Sequence, residues 1–188
     1  SAPVARGAAK PINAAAAAAP VTFVHGDNGL GNIPIPAVTE TADTRSAAAL
    51  IIDLVRAHPN EVTIIAVGRM TNLAEAIARD PGIVPLVKAV SVMGGAFGRN
   101  GHFGNVTPVA EANIIGDPVA ADIVFGADWP MTIVGLDVTH ESVMTDDYVK
   151  DLAAHGGKDG AFLWEVSRFY ANFYTSTRQI IPGFAETE

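Results

Sequence analysis

The sequence predicts an α/β protein with a mostly parallel sheet flanked by helices. Three apolar runs support this prediction, at residues 62–67, 88–95 and 131–136. Continuous runs rich in Val and Ile are typical of strands that are covered on both faces. Helical patterns lie between these runs, and strands that alternate with helices favour a parallel sheet.

The helices are predicted from apolar spacing and from residues that begin helices. Apolar residues recur at helical spacing over 43–58. A second helix is predicted after the first strand, starting near Thr71 or Asn72. Asp117 and Pro118 are an N-cap and a first-position proline for a third helix.

Two more helices are predicted after the third strand, the first of them capped by Thr145. The last one carries an apolar stripe, for which core packing is the simplest explanation. Its members are Phe162, Leu163, Val166, Phe169, Tyr170 and Phe173. Since no linker or internal repeat divides the chain, a single α/β domain over residues 1–188 is predicted.

Composition excludes several classes of protein. The formal net charge is −8 with only twelve Lys and Arg, so no basic patch for nucleic acid is visible. No apolar run has the length of a membrane span, and the first twenty residues lack a secretory signal, which predicts a cytoplasmic protein. There is no cysteine for disulfides or thiolate metal sites. The alanine run at 14–19 is predicted to be a surface connection.

Polar residues and glycines follow all three predicted strands, at 67–72, 93–98 and 135–140. In open α/β sheets, ligands bind beyond the carboxyl ends of the strands. A long glycine-bearing loop then leads to Glu111 and Asn113. If that segment is extended, side chains two positions apart point the same way and both enter one pocket.

Glu111 and Asn113 suit a ligand with neighbouring hydroxyl groups. The carboxylate accepts hydrogen bonds, and the carboxamide both donates and accepts them. Asn105, in the preceding loop, adds a third polar group. The residues leave an alternative open, in which Glu111 and Asn113 only satisfy backbone groups of their own loop.

Other motifs are weaker evidence for a functional site. The stretch GGAFGRNG resembles a dinucleotide-binding loop, but HFGNVTP cannot form the helix that such a loop requires. Asp146 and Asp147 follow a predicted N-cap, where acidic residues favour the helix dipole, so a metal site there is weakly supported. His25 begins a glycine-rich stretch at 23–34 that is predicted to be a loop.

Five stretches occur in an order and spacing that resemble the inosine–uridine-preferring nucleoside hydrolase family. They are VHGDNGLG, AVGRMTNLAEAI, VSVMGGAFG, GNVTPVAEANIIGDPVAADIVF and TIVGLDVTH. The resemblance covers nearly the whole chain. It implies an open nucleoside hydrolase-like sheet, here incomplete at both ends. It also implies hydrolysis of the N-glycosidic bond of purine or pyrimidine ribonucleosides to free base and ribose, in nucleoside catabolism.

The resemblance also implies roles for individual residues. Asn105, Glu111 and Asn113 match the ligands of the ribose hydroxyls. Met93 matches a residue that lines the ribose site, and His25 matches the histidine near the nucleobase.

The resemblance further implies a calcium ion, with the main-chain carbonyl of Val67 as one ligand. Calcium takes roughly six to eight oxygen ligands, so ribose hydroxyls and a water molecule complete its shell. A carboxylate takes the proton from the bound water, and the reaction passes through an oxocarbenium-like transition state. Most of the calcium ligands are expected outside this chain.

The sequence departs from the family pattern in three ways. The Asp-rich motif DxDPGxDD and the C-terminal His-Asp pair are absent, and Ala112 replaces a usual aromatic residue. The Asp base is therefore expected upstream and the His downstream, with no catalytic residue in this chain. These 188 residues are expected to be inactive alone. The alternative is a non-catalytic ribose- or nucleoside-binding protein that has lost the metal carboxylates. A homo-oligomer, dimer or tetramer, is also implied.

Overall fold

The computed structural model describes residues 2–13, 20–35, 37–38 and 40–177. The strands are β1 (Ala5–Arg6), β2 (Asp43–Ser46), β3 (Thr63–Ala66), β4 (Ala89–Met93) and β5 (Met131–Val134). The helices are α1 (Thr22–His25), α2 (Ala47–Ala57), α3 (Thr71–Arg79), α4 (Ala112–Ile115), α5 (Pro118–Phe125), α6 (Leu136–Thr139), α7 (Asp146–His155) and α8 (Gly157–Thr177). The alanine run at 14–19 lies outside the described residues.

The three predicted strands form one parallel sheet in the order β3-β4-β5. Thr63 pairs with Ala89 at one end of the first ladder, and Met93 pairs with Val134 at the end of the second. The α/β class and the parallel sheet are therefore confirmed. A separate parallel pair, β1 with β2, was not predicted.

Contacts along the chain define two compact units. Unit 1 comprises residues 1–18 and 39–137, and unit 2 comprises residues 19–38 and 138–188. Unit 1 holds all five strands and helices α2 to α5, whereas unit 2 holds α1, α7 and α8. The single domain over residues 1–188 stays a prediction.

The core of unit 1 lies between one face of the sheet and helices α2, α3 and α5. Val90 and Val92 of β4 are buried in it, and Val55, Leu73 and Val124 are buried on the three helices. Burial of these apolar side chains supplies the main free energy of folding.

The other face of β3 differs from the prediction. Ile65 is 71% exposed and Val67 just beyond the strand is 73% exposed, whereas Ile64 and Ala66 pack against the core. The prediction that β3 is covered on both faces is thus wrong for the described residues. A continuous apolar run does not say which element covers each face, because that depends on tertiary packing.

Local capping explains where the helices begin. The Thr145 hydroxyl accepts a hydrogen bond from Tyr148 N at 3.2 Å, which confirms it as the N-cap of α7. The prediction of a helix from residue 43 is wrong, because residues 43–46 form β2. Ser46 then caps α2 by accepting from Ala49 N at 3.3 Å, so α2 begins only at Ala47.

The aromatic stripe of α8 packs only in part. Within unit 2, the Phe173 ring meets Phe23 edge-on with ring centroids 5.6 Å apart. Leu163 is 48% exposed, so the core-packing explanation is wrong for this residue. No helix among the described residues has the length and hydropathy needed to cross a bilayer.

A buried carboxylate joins three segments of unit 1. Asp117, which is 1% exposed, is the predicted N-cap of α5 and accepts from Ala120 N at 3.2 Å. Its other oxygen accepts from the Thr71 hydroxyl at 2.5 Å and from Ile12 N at 2.9 Å. These bonds compensate the cost of burying the carboxylate.

We expect Asp117→Ala to lower the free energy of unfolding by about 3 kcal/mol, because it leaves three donors without their acceptor. Urea denaturation followed by circular dichroism measures the change. Asp122→Ala, at an exposed position of the same helix, is the control and should cost under about 0.5 kcal/mol. A loss below about 1 kcal/mol for Asp117→Ala would show that these bonds contribute little.

Candidate functional site

The candidate site lies at the carboxyl end of β4, where Met93 is the last strand residue. The chain continues through a loop and returns to Met93 at Glu111, immediately before α4. Within the loop, residues 104–110 form a tight turn, in which Gly104 N donates to Pro108 O at 3.2 Å. A side chain at Gly104 would collide with the backbone of Thr107 and Ala110, so only glycine fits there.

Glu111 is buried, with 3% of its surface exposed, and it is the N-cap of α4. Its Oε1 accepts from Asn113 N at 2.8 Å, and its Oε2 accepts from Ile114 N at 3.1 Å. Oε2 also accepts from Gly95 N at 3.0 Å, across the loop. The carboxylate therefore occupies the anion-favouring start of a short helix and fixes the loop after β4.

The predicted extended geometry of this segment is wrong. Glu111 has extended dihedral angles, but Asn113 lies inside α4. Their side chains still converge on β4, because the Asn113 Nδ2 donates to Met93 O at 3.1 Å and contacts Met93 Sδ at 3.2 Å. The capping geometry brings the two residues together, rather than the period-two alternation of a strand.

Asn105 joins the same cluster from the loop. Its Oδ1 accepts from Ala112 N at 3.0 Å, at the first residue of α4. Four of the predicted site residues are therefore neighbours in the structure: Met93, Asn105, Glu111 and Asn113.

All three polar side chains bond to nearby backbone, but these bonds leave part of their capacity unused. A carboxylate offers roughly four lone-pair positions, and the three N–H donors leave one on Oε1 of Glu111. The bonds of Asn113 use its amide nitrogen and not its Oδ1, and the bond of Asn105 uses its Oδ1 and not its Nδ2. Bracing the loop and binding a hydroxyl-bearing ligand are thus compatible.

Gly95, in the loop after β4, supplies the third backbone N–H that bonds to the Glu111 carboxylate. Its φ of +81° lies in the left-handed region, which glycine adopts without a steric cost. On the opposite side of this residue, its carbonyl accepts from Leu136 N at 2.9 Å. The Gly95 backbone is therefore held between Glu111 and the start of α6.

Val67, the predicted source of a calcium-ligating carbonyl, directly follows β3. Since Ala66 pairs with Val92, Val67 lies at the same edge of the sheet as Met93. Within the described part of the chain, no three acidic or histidine side chains come close enough to hold a metal ion. The role of the Val67 carbonyl as a calcium ligand therefore stays a prediction.

His25 lies in unit 2, where it is the last residue of α1 rather than part of a loop as predicted. Its exposed ring stacks on Tyr170 of α8, with centroids 5.6 Å apart and planes 9° apart. Burial raises the pKa of Tyr170 well above its usual value, and a hydrogen bond with Tyr174 adds to this. The phenol beside His25 thus stays neutral.

The loop that follows His25 is held by its own side chains. Asn28 Oδ1 accepts from Leu30 N at 2.9 Å and from Asn32 N at 3.0 Å. Asn32 Oδ1 in turn accepts from Asp27 N at 2.7 Å. Such side-chain-to-backbone bonds fix the path of a glycine-rich loop.

Sequence reasoning missed the groups that support these residues. Tyr170 was interpreted only as part of an apolar stripe, and Gly95 only as part of a glycine-rich loop. The sequence did contain features that single out both residues, since Gly95 follows a predicted strand and Tyr170 lies on a helix rich in aromatic residues. The contacts themselves connect residues 16 and 145 positions apart, which no local pattern specifies.

The fold of this chain matches solved structures of nucleoside hydrolases. A plant nucleoside hydrolase superposes with a TM-score of 0.86 at 36% identity, over 95% of this chain and 55% of that one. The purine-preferring ribonucleoside hydrolase of Gardnerella vaginalis also gives 0.86, at 34% identity, over 96% and 57% of the two chains. The predicted open-sheet fold class is therefore confirmed.

The sequence comparisons give the family. The family model described as inosine-uridine preferring nucleoside hydrolase matches residues 1–186, and the chain belongs to this family. It is 41% identical over 175 residues to a probable uridine nucleosidase 1 of Oryza sativa subsp. japonica, covering 93% of this chain and 53% of the relative. It is also 41% identical over 174 residues to the inosine-uridine preferring nucleoside hydrolase of Leishmania major, covering 92% and 54%. The chain thus spans about half the length of these relatives.

We expect Glu111→Gln to lower the free energy of unfolding by about 2 kcal/mol. The side-chain NH₂ of glutamine would be a donor placed where the carboxylate now accepts from backbone N–H groups. Thermal and urea unfolding measure the loss. Glu61→Gln, an exposed substitution in the same unit, is the control. If both variants are equally stable, the three bonds to Glu111 do not hold the loop.

Proposed function

We propose that this chain carries the ribose-binding part of a nucleoside hydrolase, which cleaves the N-glycosidic bond of ribonucleosides to free base and ribose. One observation carries the proposal: in a chain of this family, Glu111, Asn113 and Asn105 gather beside Met93 at the carboxyl end of a parallel sheet. This edge of an open α/β sheet is where ligands bind.

In the proposed site, the free acceptor positions of Glu111 and Asn113 take hydrogen bonds from the ribose hydroxyls. The Nδ2 group of Asn105 donates to a ribose oxygen. The Met93 side chain lies against the sugar, since its sulfur already contacts Asn113. Fixing the ring by several short hydrogen bonds favours the distorted shape that the transition state requires.

In the proposed reaction, the bond between the sugar carbon C1′ and the base nitrogen breaks, and the bonding electrons leave with the base. Positive charge then develops on C1′ and the ring oxygen. The negative charge of Glu111 near the ribose hydroxyls stabilises this charge. Water adds to C1′ and loses a proton, and the departing base gains one.

A calcium ion is part of the proposal for the complete site and supplies a bound, activated water when present. From this chain, the Val67 carbonyl would hold it. One carbonyl does not satisfy an ion that needs roughly six to eight oxygens.

For the nucleobase, we propose contact with His25. Its ring is exposed and stacks on a Tyr170 side chain that remains neutral, which gives a flat surface suited to a base. The names of the relatives include uridine, inosine and purine preferences. Inosine and uridine are therefore the substrates to test first.

We expect the protein produced from its complete gene to release ribose from inosine or uridine, as measured by a reducing-sugar assay. Asn113→Ala should lower kcat/KM by about 100-fold, because it removes both the ribose contact and the bond to Met93. Asn172→Ala, exposed on α8, is the control. Absence of ribose release from every common ribonucleoside would overturn the proposed activity.

A specific observation favours a second candidate, a non-catalytic ribose- or nucleoside-binding protein. Among the described residues, the polar cluster of Asn105, Glu111 and Asn113 occurs without a group of three acidic or histidine side chains that could hold a metal ion. Calcium dependence separates the two candidates. If a chelator abolishes ribose release by the gene product, the protein is a hydrolase. If nucleosides bind with no turnover and no effect of calcium, it is a binder.

We expect the 188-residue chain alone to bind calcium with a dissociation constant above about 1 mM, since it contributes one proposed oxygen ligand to the ion. It should also release no ribose. Isothermal titration calorimetry measures the binding. Micromolar calcium affinity in the 188-residue chain would contradict the proposed division of ligands.

The remaining proposals concern the assembly and location of the protein. We propose a homo-oligomer, dimer or tetramer, which light scattering coupled to size-exclusion chromatography would detect. A cytoplasmic location is proposed because the sequence has no cysteine and a net charge of −8.

A further inference from the structure

Asp137 is a buried carboxylate that no proposed step of the reaction uses. It lies in α6, just beyond the carboxyl end of β5, and is only 6% exposed. None of the ion pairs among the described residues includes it. Its Oδ1 accepts one long hydrogen bond, from Phe97 N at 3.4 Å. A carboxylate buried with so little compensation is costly, which calls for a reason.

The position of Asp137 gives that reason. Phe97 belongs to the loop that leaves β4, two residues after Gly95. The Gly95 carbonyl accepts from Leu136 N at 2.9 Å, so α6 contacts this loop segment at two points. On the other side of the segment, Gly95 N donates to Glu111 at 3.0 Å. The loop is held between α6 and Glu111.

Close packing around Gly135 makes this contact specific. A Cβ at Gly135 would lie 2.5 Å from Asp137 Oδ1 and 2.9 Å from the Phe97 ring. The absence of a side chain at this position lets the carboxylate and the ring approach the end of β5 together. Phe97 is 59% exposed, so apolar burial of its ring contributes little to holding the loop.

We propose that Asp137 is a positioning residue for the ribose site, a role that rests on the proposed function of that site. Its carboxylate holds Phe97 N, which fixes the Gly95 peptide. The Gly95 N–H in turn orients Oε2 of Glu111 and leaves Oε1 directed to the ligand. Asp137 itself does not touch the substrate.

The test has one part without substrate and one with it. In the 188-residue chain, Asp137→Ala should speed amide exchange at Gly95 about tenfold and shift the NMR signal of the Glu111 carboxyl carbon. Asp137→Asn keeps an oxygen that accepts from Phe97 N, so it should restore most of both properties. Asp128→Ala, exposed in the same unit, is the control.

In the complete gene product, Asp137→Ala should reduce kcat/KM for inosine about tenfold at an unchanged unfolding midpoint, and Asp137→Asn should recover most of it. If Asp137→Ala does not fold, Gly135→Ala displaces the same contact and should give the same changes.

The outcomes separate the two proposals. An unchanged Gly95 exchange rate and Glu111 signal in Asp137→Ala would overturn the positioning role, whatever the activity. Altered NMR signals in a protein that releases no ribose would support the link from Asp137 to Glu111 and overturn the proposed function instead. Equal losses with Asp137→Asn and Asp137→Ala would also overturn the role, because they would show that the hydrogen bond to Phe97 is not what matters.

Discussion

The buried carboxylate of Asp117 is the interaction on which the arrangement of unit 1 depends. It receives donors from α5, from Thr71 at the start of α3 and from Ile12 near the N-terminal strand. Asp117 stands one residue after Gly116, which directly follows α4. Holding Asp117 therefore also fixes the end of α4, and with it the position from which Glu111 and Asn113 meet β4. Because its partners are 46 and 105 residues away, one side chain sets several distant segments at once.

At the candidate site, the side chain of Glu111 combines a structural role with the role proposed for it in sugar binding. Glu111 begins α4 and holds Gly95, yet one acceptor position on its carboxylate is unused by these bonds. A residue that is locked by three backbone donors loses little conformational freedom when a ligand binds. Such preorganisation is what precise binding of a sugar requires. The two readings that the sequence left open for Glu111, bracing a loop and holding a sugar, are therefore not exclusive.

Structural features that depend on neighbouring residues could be predicted from the sequence, whereas features that depend on long-range contacts could not. The strands β3, β4 and β5 followed from runs of Val and Ile, and Asp117 and Thr145 were correctly predicted as N-caps because a cap acts within three residues. The extended geometry assigned to Glu111 and Asn113 was wrong, since a carboxylate that caps a helix has no hydrophobic periodicity to reveal it. The coverage of β3 was wrong because Ile65 has the same apolar side chain whether or not another element packs on it.

By itself, the sequence determined the α/β class, the order of strands and helices and the motifs of the family, because each depends on residue type and short-range spacing. Only the tertiary structure decided that Asn113 donates to Met93, that Gly95 lies between Glu111 and Leu136, and that Asp137 holds Phe97. These contacts join residues between 16 and 41 positions apart. The entropic cost of closing such loops is offset by packing of the whole core. No local pattern of residues predicts that packing.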